Sequence, residues 1–313
     1  MKNEEPKRLL ILAGPTGVGK TDISIHLARN LSGEVVSADS RLVYRLMNIG
    51  TAKPDRETRQ GVAHHMIDLV DPDEEYTSKR FEEEARETVR DVLRRGKTPI
   101  VVGGSGLYVK ALTDGVFDGP GRDTALRKRL MDEAEKKGST ALWKKLTAVD
   151  PEKAGQIGPS NTIRLVRALE VYELTGRPMS ELEKGARPFE VPSTRFGLTR
   201  STIELYRIVD DRVDRMMELG FLDEVKGLIA NGYRDSPAVR SSLGYRELIE
   251  HLEGDRSLAE AVRLIKRNTR HFAKRQGTWF RKDKDITWID ITGRRDSANI
   301  ASEITQEFLG VRS

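Results

Sequence analysis

The sequence predicts an α/β protein in which a parallel β-sheet is flanked by helices and the chain is interrupted by an all-helical insertion. Over the first hundred residues, short apolar runs alternate with longer amphipathic stretches. This alternation of strands and helices is typical of a parallel sheet that is covered on both faces. Between residues 120 and 195 only helical patterns occur, which predicts the insertion.

Each element of the first part is predicted from its own pattern and boundaries. Apolar runs predict the buried strands Arg8–Ala13 and Pro99–Val102, and Glu34–Ser37 is predicted to be a short strand between them. Apolar residues at helical spacing, closed by a glycine, predict the helices Lys20–Leu31 and Lys79–Arg95.

Helical patterns continue through the insertion, and predicted strands occur again only after it. In the insertion, Asp123–Leu146 is predicted to be helical with a break at Gly138, and Ser160 is predicted to cap a helix that ends at Gly176. Beyond it, the predicted strands are Thr202–Val209 and Ile286–Ile289. The predicted helices are Asp211–Asn231 (interrupted near Gly220), Tyr245–Leu252 and Ser257–Arg281. The α/β core is therefore predicted over residues 1–119 and 196–313.

The composition excludes several kinds of chemistry. The 313 residues include no cysteine, which removes disulfides, thiolate zinc sites and cysteine nucleophiles together. The sequence has no apolar run of about 18 residues, so we expect a cytoplasmic protein without a membrane span. His64 and His65 are adjacent, and neighbours on a strand point to opposite faces, so we expect structural roles for both and no structural metal.

A glycine-rich loop follows the first predicted strand and opens the first predicted helix. It fits the phosphate-binding pattern G-x-x-x-x-G-K-[ST] in full. Glycines allow consecutive backbone N–H groups to surround an anion, the lysine supplies a charge to phosphate oxygens, and the threonine hydroxyl suits Mg²⁺. The loop comprises Gly14, Pro15, Thr16, Gly17, Val18, Gly19, Lys20 and Thr21. This P-loop identifies a bound phosphate but not the reaction.

Two further polar side chains follow predicted strands, and each allows more than one interpretation. Asp39 comes just after the second strand, where it could contact Mg²⁺ through water, act as a general base, or cap the next helix. Ser105 follows Gly103-Gly104, where it could face a ligand or cap a helix, and these two roles are compatible.

Positive charge is concentrated near the end of the chain. The net charge of the whole chain is only +5, yet Ala261–Lys284 contains nine basic residues and a single acidic one, Asp283. Arg263, Arg267, Arg270 and Lys274 follow helical spacing and form one stripe. Such a stripe indicates either a polyanionic partner or a solvated helix face.

Taken together, these segments resemble the bacterial tRNA dimethylallyltransferases, also called tRNA isopentenyltransferases. The run Ile49–Pro54 and the segment Lys274–Arg281 are more specific than the P-loop. Two departures are mild: Ser105 stands where the family usually has threonine, and Leu243 where it has isoleucine. The matching stretches are Gly14–Thr21, Ser37–Arg41 with Tyr44, Ile49–Pro54, His64-His65 with Ile67-Asp68, Gly103–Tyr108, Arg164 with Arg167–Val171, Gly244-Tyr245, and Ala273–Gln276 with Thr278–Arg281.

The resemblance implies a P-loop NTPase-like core and a reaction. A dimethylallyl group moves from dimethylallyl diphosphate to the exocyclic N6 amine of the adenosine 3′ of the anticodon, and diphosphate leaves. The P-loop would then bind the diphosphate, with Mg²⁺ at Thr21 and with Arg212 or Arg215 opposite; these arginines could equally belong to a solvated helix face. Asp39 would accept the proton of the amine, and Ser105 would position the amine or the donor.

The resemblance also implies a tRNA partner, bound through its anticodon stem-loop by a monomer. Arg127, Arg164 and Arg167 of the insertion would contact the anticodon stem. Arg275, Gln276 and Arg281 could read base edges, whereas Trp279 is expected in the core. The full set of implied tRNA-binding residues is Asp39, Ser40, Arg41, Leu42, Ser105, Arg127, Arg164, Arg167, Arg267, Arg270, Lys274, Arg275, Gln276 and Arg281.

Two rival functions use the same loop. A small-molecule kinase would bind ATP there and would need no basic stripe for RNA. An RNA-binding GTPase-like module would need a guanine-reading N-K-x-D segment, which the sequence lacks.

Overall fold

The parallel sheet predicted from the sequence is the centre of the structure, a computed structural model that describes residues 8–310. The strands are β1 (Leu9–Ala13), β2 (Gly33–Ser37), β3 (His64–His65), β4 (Thr98–Gly103), β5 (Ser193–Thr199) and β6 (Ile286–Asp290). Within the described residues they form one sheet of six strands in the order β3-β2-β4-β1-β5-β6, and every neighbouring pair is parallel. This order places β1 and its following loop at the middle of the sheet.

The described chain divides into two compact units, residues 8–113 with 189–310, and residues 114–188. The sheet and its helices form the larger unit. Its helices are α1 (Lys20–Asn30), α2 (Arg56–Arg59), α3 (Ser78–Arg94), α4 (Gly106–Asp114), α10 (Thr202–Glu218), α11 (Phe221–Ala230), α12 (Pro237–Ser241), α13 (Tyr245–Leu252), α14 (Leu258–Phe280) and α15 (Ser297–Leu309). None of the helices between residues 8 and 310 has the length and apolar character that a membrane crossing requires.

The central strands of the sheet, β1, β2 and β4, are largely buried, as their apolar runs predict. All five residues of β1 are at most 1% exposed. Leu10 and Leu12 belong to one core cluster together with Leu27 of α1 and Ile304 of α15. Successive residues of a strand point to opposite faces, so the intervening residues of β1 lie in the packing on the other side.

The smaller unit, Asp114–Pro188, contains only helices. It begins and ends earlier than the predicted insertion at residues 120–195. The helices that follow α4 are α5 (Thr124–Lys137), α6 (Ser139–Val149), α7 (Pro151–Ile157), α8 (Thr162–Thr175) and α9 (Met179–Glu183). Leu130, Leu142, Leu146 and Leu165 form a buried cluster of its own. The cap of α8 is the side chain of Asn161, not that of Ser160 as predicted.

The strand predicted at Thr202–Val209 is wrong, since these residues form the first half of α10. The Ser201 hydroxyl accepts a hydrogen bond from the Glu204 amide, which caps the helix and overrides the β-branched residues that follow. The strand of this region is β5 instead, which begins two residues before the predicted end of the insertion at residue 195. Its pairing with β1 through Leu9 to Ala13 returns the chain to the centre of the sheet.

The larger unit closes at the point where the insertion leaves it. The Phe189 amide donates a hydrogen bond of 2.7 Å to the Thr113 carbonyl, so the two ends of the interrupted core lie side by side. The core is therefore continuous in space although its sequence is divided.

Candidate active site

The loop between β1 and α1 has the backbone conformation that its glycines allow. Gly17 and Gly19 adopt φ values of 80° and 108°, in the left-handed region that other residues rarely occupy. Gly19 immediately precedes α1, whose N-terminal end carries a partial positive charge. The loop therefore directs backbone donors and a helix dipole at one place, as an anion site requires.

The Lys20 side chain stabilises this loop by hydrogen bonds to its backbone. Its Nζ donates hydrogen bonds of 2.8 Å to the carbonyls of Gly14 and Pro15. Burial lowers the pKa of Lys20 to about 8; the nearby Asp39 carboxylate opposes this change and the Arg212 guanidinium adds to it. The lysine is thus a buried cation with an acid and a second cation close by.

Arg212 is the arginine of α10 that reaches the loop. It donates to the Thr16 hydroxyl at 3.4 Å and to the Thr51 carbonyl at 3.5 Å. Burial lowers the pKa of Arg212, and Asp39 opposes this change. Arg215, predicted as the alternative, is exposed and is absent from the described lining of the cavities below.

Asp39 and Ser105 lie on neighbouring turns at the carboxyl ends of β2 and β4. One Asp39 carboxylate oxygen accepts a hydrogen bond of 2.8 Å from the Arg41 amide, so the acid does cap its own turn. The Ser105 hydroxyl accepts a bond of 3.0 Å from the Ser40 amide and donates to the Ser40 hydroxyl at 3.2 Å. These bonds hold the Ser105 turn against the segment that carries Asp39.

A cavity of 380 Å³ lies over the phosphate loop. Its lining includes loop residues from Thr16 to Thr21, together with Asp39, Leu42 and Arg200. The charged side chains of this lining include Lys20, Arg200 and Arg212, which suit a phosphate-bearing ligand.

A second cavity of 280 Å³ lies on the far side of Asp39. Ser40, Arg41 and Ser105 line it beside apolar and aromatic groups. Its apolar lining comprises Val209, Val213, Met216, Phe221, Leu243, Tyr245, Ile265 and Phe272. The two cavities share Thr16, Asp39, Thr51 and Arg212, so the Asp39 carboxylate and part of the phosphate loop border both of them.

The segment Ile49–Pro54, which the sequence singled out, is fixed by a residue that sequence reasoning missed. The Glu224 carboxylate on α11 accepts hydrogen bonds from the amides of Asn48, Ile49 and Gly50, at 2.9, 2.7 and 3.1 Å. It also accepts one of 2.7 Å from the hydroxyl of the fully buried Tyr245. No local pattern marks Glu224, because the three amides that donate to it lie more than 170 positions earlier.

Gln276, predicted to read base edges, is instead buried inside the larger unit. Its amide oxygen accepts a hydrogen bond of 2.9 Å from the Thr16 amide, and its amide nitrogen donates one of 2.8 Å to the Gly104 carbonyl. Both ends of this side chain are therefore engaged by backbone groups.

The basic residues of α14 fall into two groups. One guanidinium nitrogen of Arg270 donates to both carboxylate oxygens of Asp210, at 2.7 and 2.6 Å. Lys266 pairs with Asp214, and Arg263 pairs with Glu260. A second group consists of the exposed Arg267, Lys274 and Arg275, with the exposed Arg281 just beyond the end of the helix. The predicted stripe of four is thus divided, since Arg263 and Arg270 form ion pairs with carboxylates, although Arg263 is itself exposed.

In the smaller unit, two of the predicted RNA contacts form an internal ion cluster. Arg127 and Arg167 both bind the carboxylate of Glu170, which is completely buried. Burial would raise the pKa of Glu170, but the hydrogen bonds from the two arginines outweigh it and hold the pKa at about 2. Arg164 is exposed on α8.

The histidine pair has separate partners on the two faces of β3. His65 contacts the Glu34 carboxylate at 2.7 Å, whereas a ring nitrogen of His64 lies 2.9 Å from the Val62 carbonyl. Among residues 8–310, no group of three or more histidine and acidic side chains has the arrangement of a metal site. Mg²⁺ needs only one or two protein ligands when phosphates supply the rest, and Thr21 and Asp22 both line the loop cavity. The residues present therefore fit a phosphate-bound Mg²⁺.

The fold and the loop define a class of protein: a P-loop α/β protein in which the cavity over the loop shares lining residues with a second, more apolar cavity. The family model described as "IPP transferase" matches residues 42–283. The chain belongs to the IPP transferase family.

Individual relatives agree with this family over almost the whole chain. A tRNA dimethylallyltransferase of Geobacter metallireducens is 47% identical, covering 95% of this chain and 97% of the relative. One of Pelotomaculum thermopropionicum is 46% identical over 99% of this chain and all of the relative.

Solved structures are similar as well. The crystal structure of a tRNA isopentenylpyrophosphate transferase from Bacillus halodurans is 39% identical, with a TM-score of 0.73, covering 97% of this chain and 96% of that one. A eukaryotic dimethylallyltransferase acting on tRNA is 30% identical, with a TM-score of 0.77, covering 98% of this chain and 80% of that one.

Proposed function

We propose that this protein is a tRNA dimethylallyltransferase, which transfers a dimethylallyl group from dimethylallyl diphosphate to N6 of the adenosine 3′ of the anticodon. The observation that carries the proposal is the pair of adjoining cavities that share Asp39, Thr16, Thr51 and Arg212. One cavity suits a diphosphate, the other suits an apolar group and a purine, and an acid lies at their junction.

The donor binds with its diphosphate in the loop cavity. The backbone amides of the loop, the Lys20 ammonium and the Arg212 guanidinium surround the place where negative charge grows as the leaving group departs. Pre-positioned positive groups stabilise that charge more in the transition state than in the ground state. Arg212, which contacts the loop residue Thr16, takes the role for which Arg215 was the alternative.

Mg²⁺ held by Thr21 and the diphosphate oxygens would supply further positive charge to the leaving group. Thr21 lies at the start of α1, so its hydroxyl faces the same cavity as the lysine. The chain itself contributes the loop amides and the two cations.

The acceptor amine enters through the second cavity. As the carbon–oxygen bond of the donor breaks, N6 of adenine forms a bond to the same carbon and releases a proton to the Asp39 carboxylate. Diphosphate leaves with the electron pair of the broken bond. Ser105, fixed through Ser40, is close to this junction and orients the amine by hydrogen bonding.

An adenine in an anticodon loop is normally stacked and must be turned outward to reach this cavity. The cost is a few kcal/mol and is lowest for an unpaired base. Ser40, Arg41 and Leu42, next to Asp39, form the rim that the flipped nucleotide passes.

Binding along the rest of the tRNA offsets that cost. The exposed residues Arg267, Lys274 and Arg275 of α14, and Arg281 just after it, contact the phosphate backbone. Arg270 contributes less directly, because Asp210 already neutralises it. In the insertion, Arg164 contacts the anticodon stem, while Arg127 and Arg167 shape that surface through Glu170. One chain supplies every group of the site, which favours a monomer acting in the cytoplasm, where tRNA is found.

A transfer assay tests this function against the kinase alternative. The protein is incubated with Mg²⁺, unmodified tRNA and dimethylallyl diphosphate labelled in the prenyl group, and separately with γ-labelled ATP and candidate metabolites. Label in tRNA at the expected adenosine supports prenyl transfer. Label passing only from ATP to a small molecule would overturn it in favour of a kinase.

A further inference from the structure

Gln276 connects two parts of the candidate site that are far apart in sequence. It lies on α14, and its side chain bridges the Thr16 amide of the phosphate loop and the Gly104 carbonyl after β4. A primary amide offers an acceptor and a donor at once, which a carboxylate, an ammonium or an apolar group does not. Its chemistry therefore matches one backbone N–H and one backbone C=O.

The fit around this side chain is tight. A Cβ atom added to Gly104 would lie 2.3 Å from the Gln276 amide nitrogen, so glycine is needed for the close approach. The side chain is 7% exposed, and a buried backbone group that loses its partner costs about 1–3 kcal/mol. The two buried hydrogen bonds of Gln276 therefore contribute to the stability of the larger unit.

The bridge continues to the acid. Gly104 precedes Ser105, whose hydroxyl bonds the Ser40 amide, and Ser40 follows Asp39. Gln276 therefore sets the distance between the loop that binds diphosphate and the turn that carries the proposed base. Misplacement of reacting groups by about 1 Å can reduce a rate by about 100-fold.

The same helix presents its exposed side to the proposed RNA. Lys274 and Arg275 immediately precede Gln276 and are exposed, and α14 is one continuous helix of 23 residues. Because the helix is continuous, RNA contacts that shift Lys274 and Arg275 on its exposed side would also shift Gln276 on its buried side.

We propose that Gln276 is a positioning residue that holds the phosphate loop in register with the Asp39–Ser105 turns, and that RNA bound on α14 strengthens diphosphate binding through it. The coupling rests on the proposed function, because it requires RNA on α14. By linkage, diphosphate must then strengthen RNA binding by the same factor.

The test compares Gln276→Met, which removes both hydrogen bonds at similar size, and Gln276→Asn, which keeps the amide but shortens its reach. Gln306→Met, on the exposed surface of α15, is the matched control. Binding of inorganic diphosphate with Mg²⁺ is measured by calorimetry with and without an unmodified anticodon stem-loop RNA. Steady-state kcat and donor KM are measured in parallel, and thermal unfolding identifies variants that do not fold.

We expect bound RNA to tighten diphosphate binding several-fold in the parent protein and in Gln306→Met, and not in either Gln276 variant. We also expect kcat to fall about 100-fold in Gln276→Met, with a smaller change in donor KM. An unchanged kcat, or the same tightening by RNA in the variants, overturns the proposal. If the parent transfers no prenyl group, the proposed function fails, whereas the diphosphate measurements without RNA still decide whether Gln276 orders the loop.

Discussion

Asp39 lies close enough to Lys20 for its carboxylate to oppose the fall in the lysine's pKa that burial causes. The two side chains line the same cavity, one after β2 and the other at the start of α1. An acid and a phosphate-binding cation are thus brought together from two turns of a parallel sheet. The proposed transfer depends on this proximity, because the bond to the leaving diphosphate and the proton of the amine must be handled in one place.

The lowered pKa of Lys20 predicts how diphosphate binding depends on pH. Below about 8 the side chain is an ammonium ion that attracts diphosphate, and above it the side chain becomes neutral. We therefore expect the affinity for inorganic diphosphate, measured by calorimetry, to fall as the pH rises through about 8. Lys20→Arg stays charged over this range, so its affinity should not show this component. Parallel profiles for the two proteins would contradict the assignment.

Replacement of Asp39 should shift that profile. Asp39 raises the pKa of Lys20, so Asp39→Asn removes a stabiliser of the ammonium form. We expect the pH above which diphosphate binding weakens to be lower in this variant than in the parent, in the same calorimetric series. A shift to higher pH would show that the carboxylate does not act on Lys20.

Asp39→Asn should also separate catalysis from donor binding. The amide cannot accept the proton of the adenine amine, so we expect kcat to fall by about 10²- to 10⁴-fold. Donor affinity at pH 7 should be retained or improved, because a negative charge near the diphosphate is lost. Single-turnover transfer to tRNA measures the rate, and a rate equal to that of the parent would assign the proton to another group.

Glu224 should contribute strongly to stability. Glu224→Ala leaves the amides of Asn48, Ile49 and Gly50 without their acceptor, which we expect to cost about 2–4 kcal/mol in the free energy of unfolding. Tyr245→Phe removes a single hydrogen bond to the same carboxylate and should cost about 1 kcal/mol. Urea unfolding measures the free energy of unfolding of both variants. Equal losses of stability in the two would contradict the larger contribution of Glu224.

Two basic residues on α14 should behave differently although they are only four positions apart. Lys274 is exposed, so Lys274→Gln should weaken tRNA binding and reduce the slope of log affinity against log salt by about 1. Arg270 is neutralised by Asp210, so Arg270→Gln should leave the slope nearly unchanged and lower stability instead. Filter binding at several salt concentrations measures both, and identical slopes for the two variants would contradict the division of the stripe.

The ion cluster of the insertion should contribute a pH-dependent part of stability. Glu170 has a pKa of about 2 in the folded protein, below the ordinary value of 4.5, so its charged form stabilises folding above about 4.5 and this contribution is lost as the pH falls toward 2. We expect Glu170→Gln to be less stable than the parent at pH 7, with a difference that narrows on acidification. Urea unfolding at pH 7 and at pH 3 tests this, and a constant difference would exclude the cluster as its source.

The sequence predicts most of the sheet because buried parallel strands leave a local signal. β1, β2 and β4 each contain a short buried apolar run, and their predicted bounds lie within two residues of the observed ones. β5 was missed because it carries Arg195, whose guanidinium binds Asp283 far along the chain. Its neighbour α10 was mistaken for a strand because Ile203, Ile208 and Val209 outweighed the cap at Ser201.

The residues of the candidate site likewise divide into those that local sequence patterns predict and those that they do not. Gly14–Thr21 and Asp39 follow strands and could be found from local spacing. Gln276 and Glu224 act through backbone groups more than 170 positions away, so nothing in their own neighbourhoods reveals these partners. Arg127 and Arg167 were assigned to RNA because charge alone does not disclose a buried acid such as Glu170. Long-range hydrogen bonding thus marks the limit of prediction here.

The hydrogen bond between Phe189 and Thr113 holds together the two points at which the helical segment leaves and rejoins the larger unit, so the segment could be removed as one piece. Since the chain departs and re-enters at adjacent residues, a short glycine–serine bridge would span the gap without shifting any strand. For the same reason, the helical segment can lengthen, shorten or diverge in sequence while the sheet of the larger unit keeps its architecture. Substitutions in the helical segment can therefore accumulate apart from substitutions around the phosphate loop.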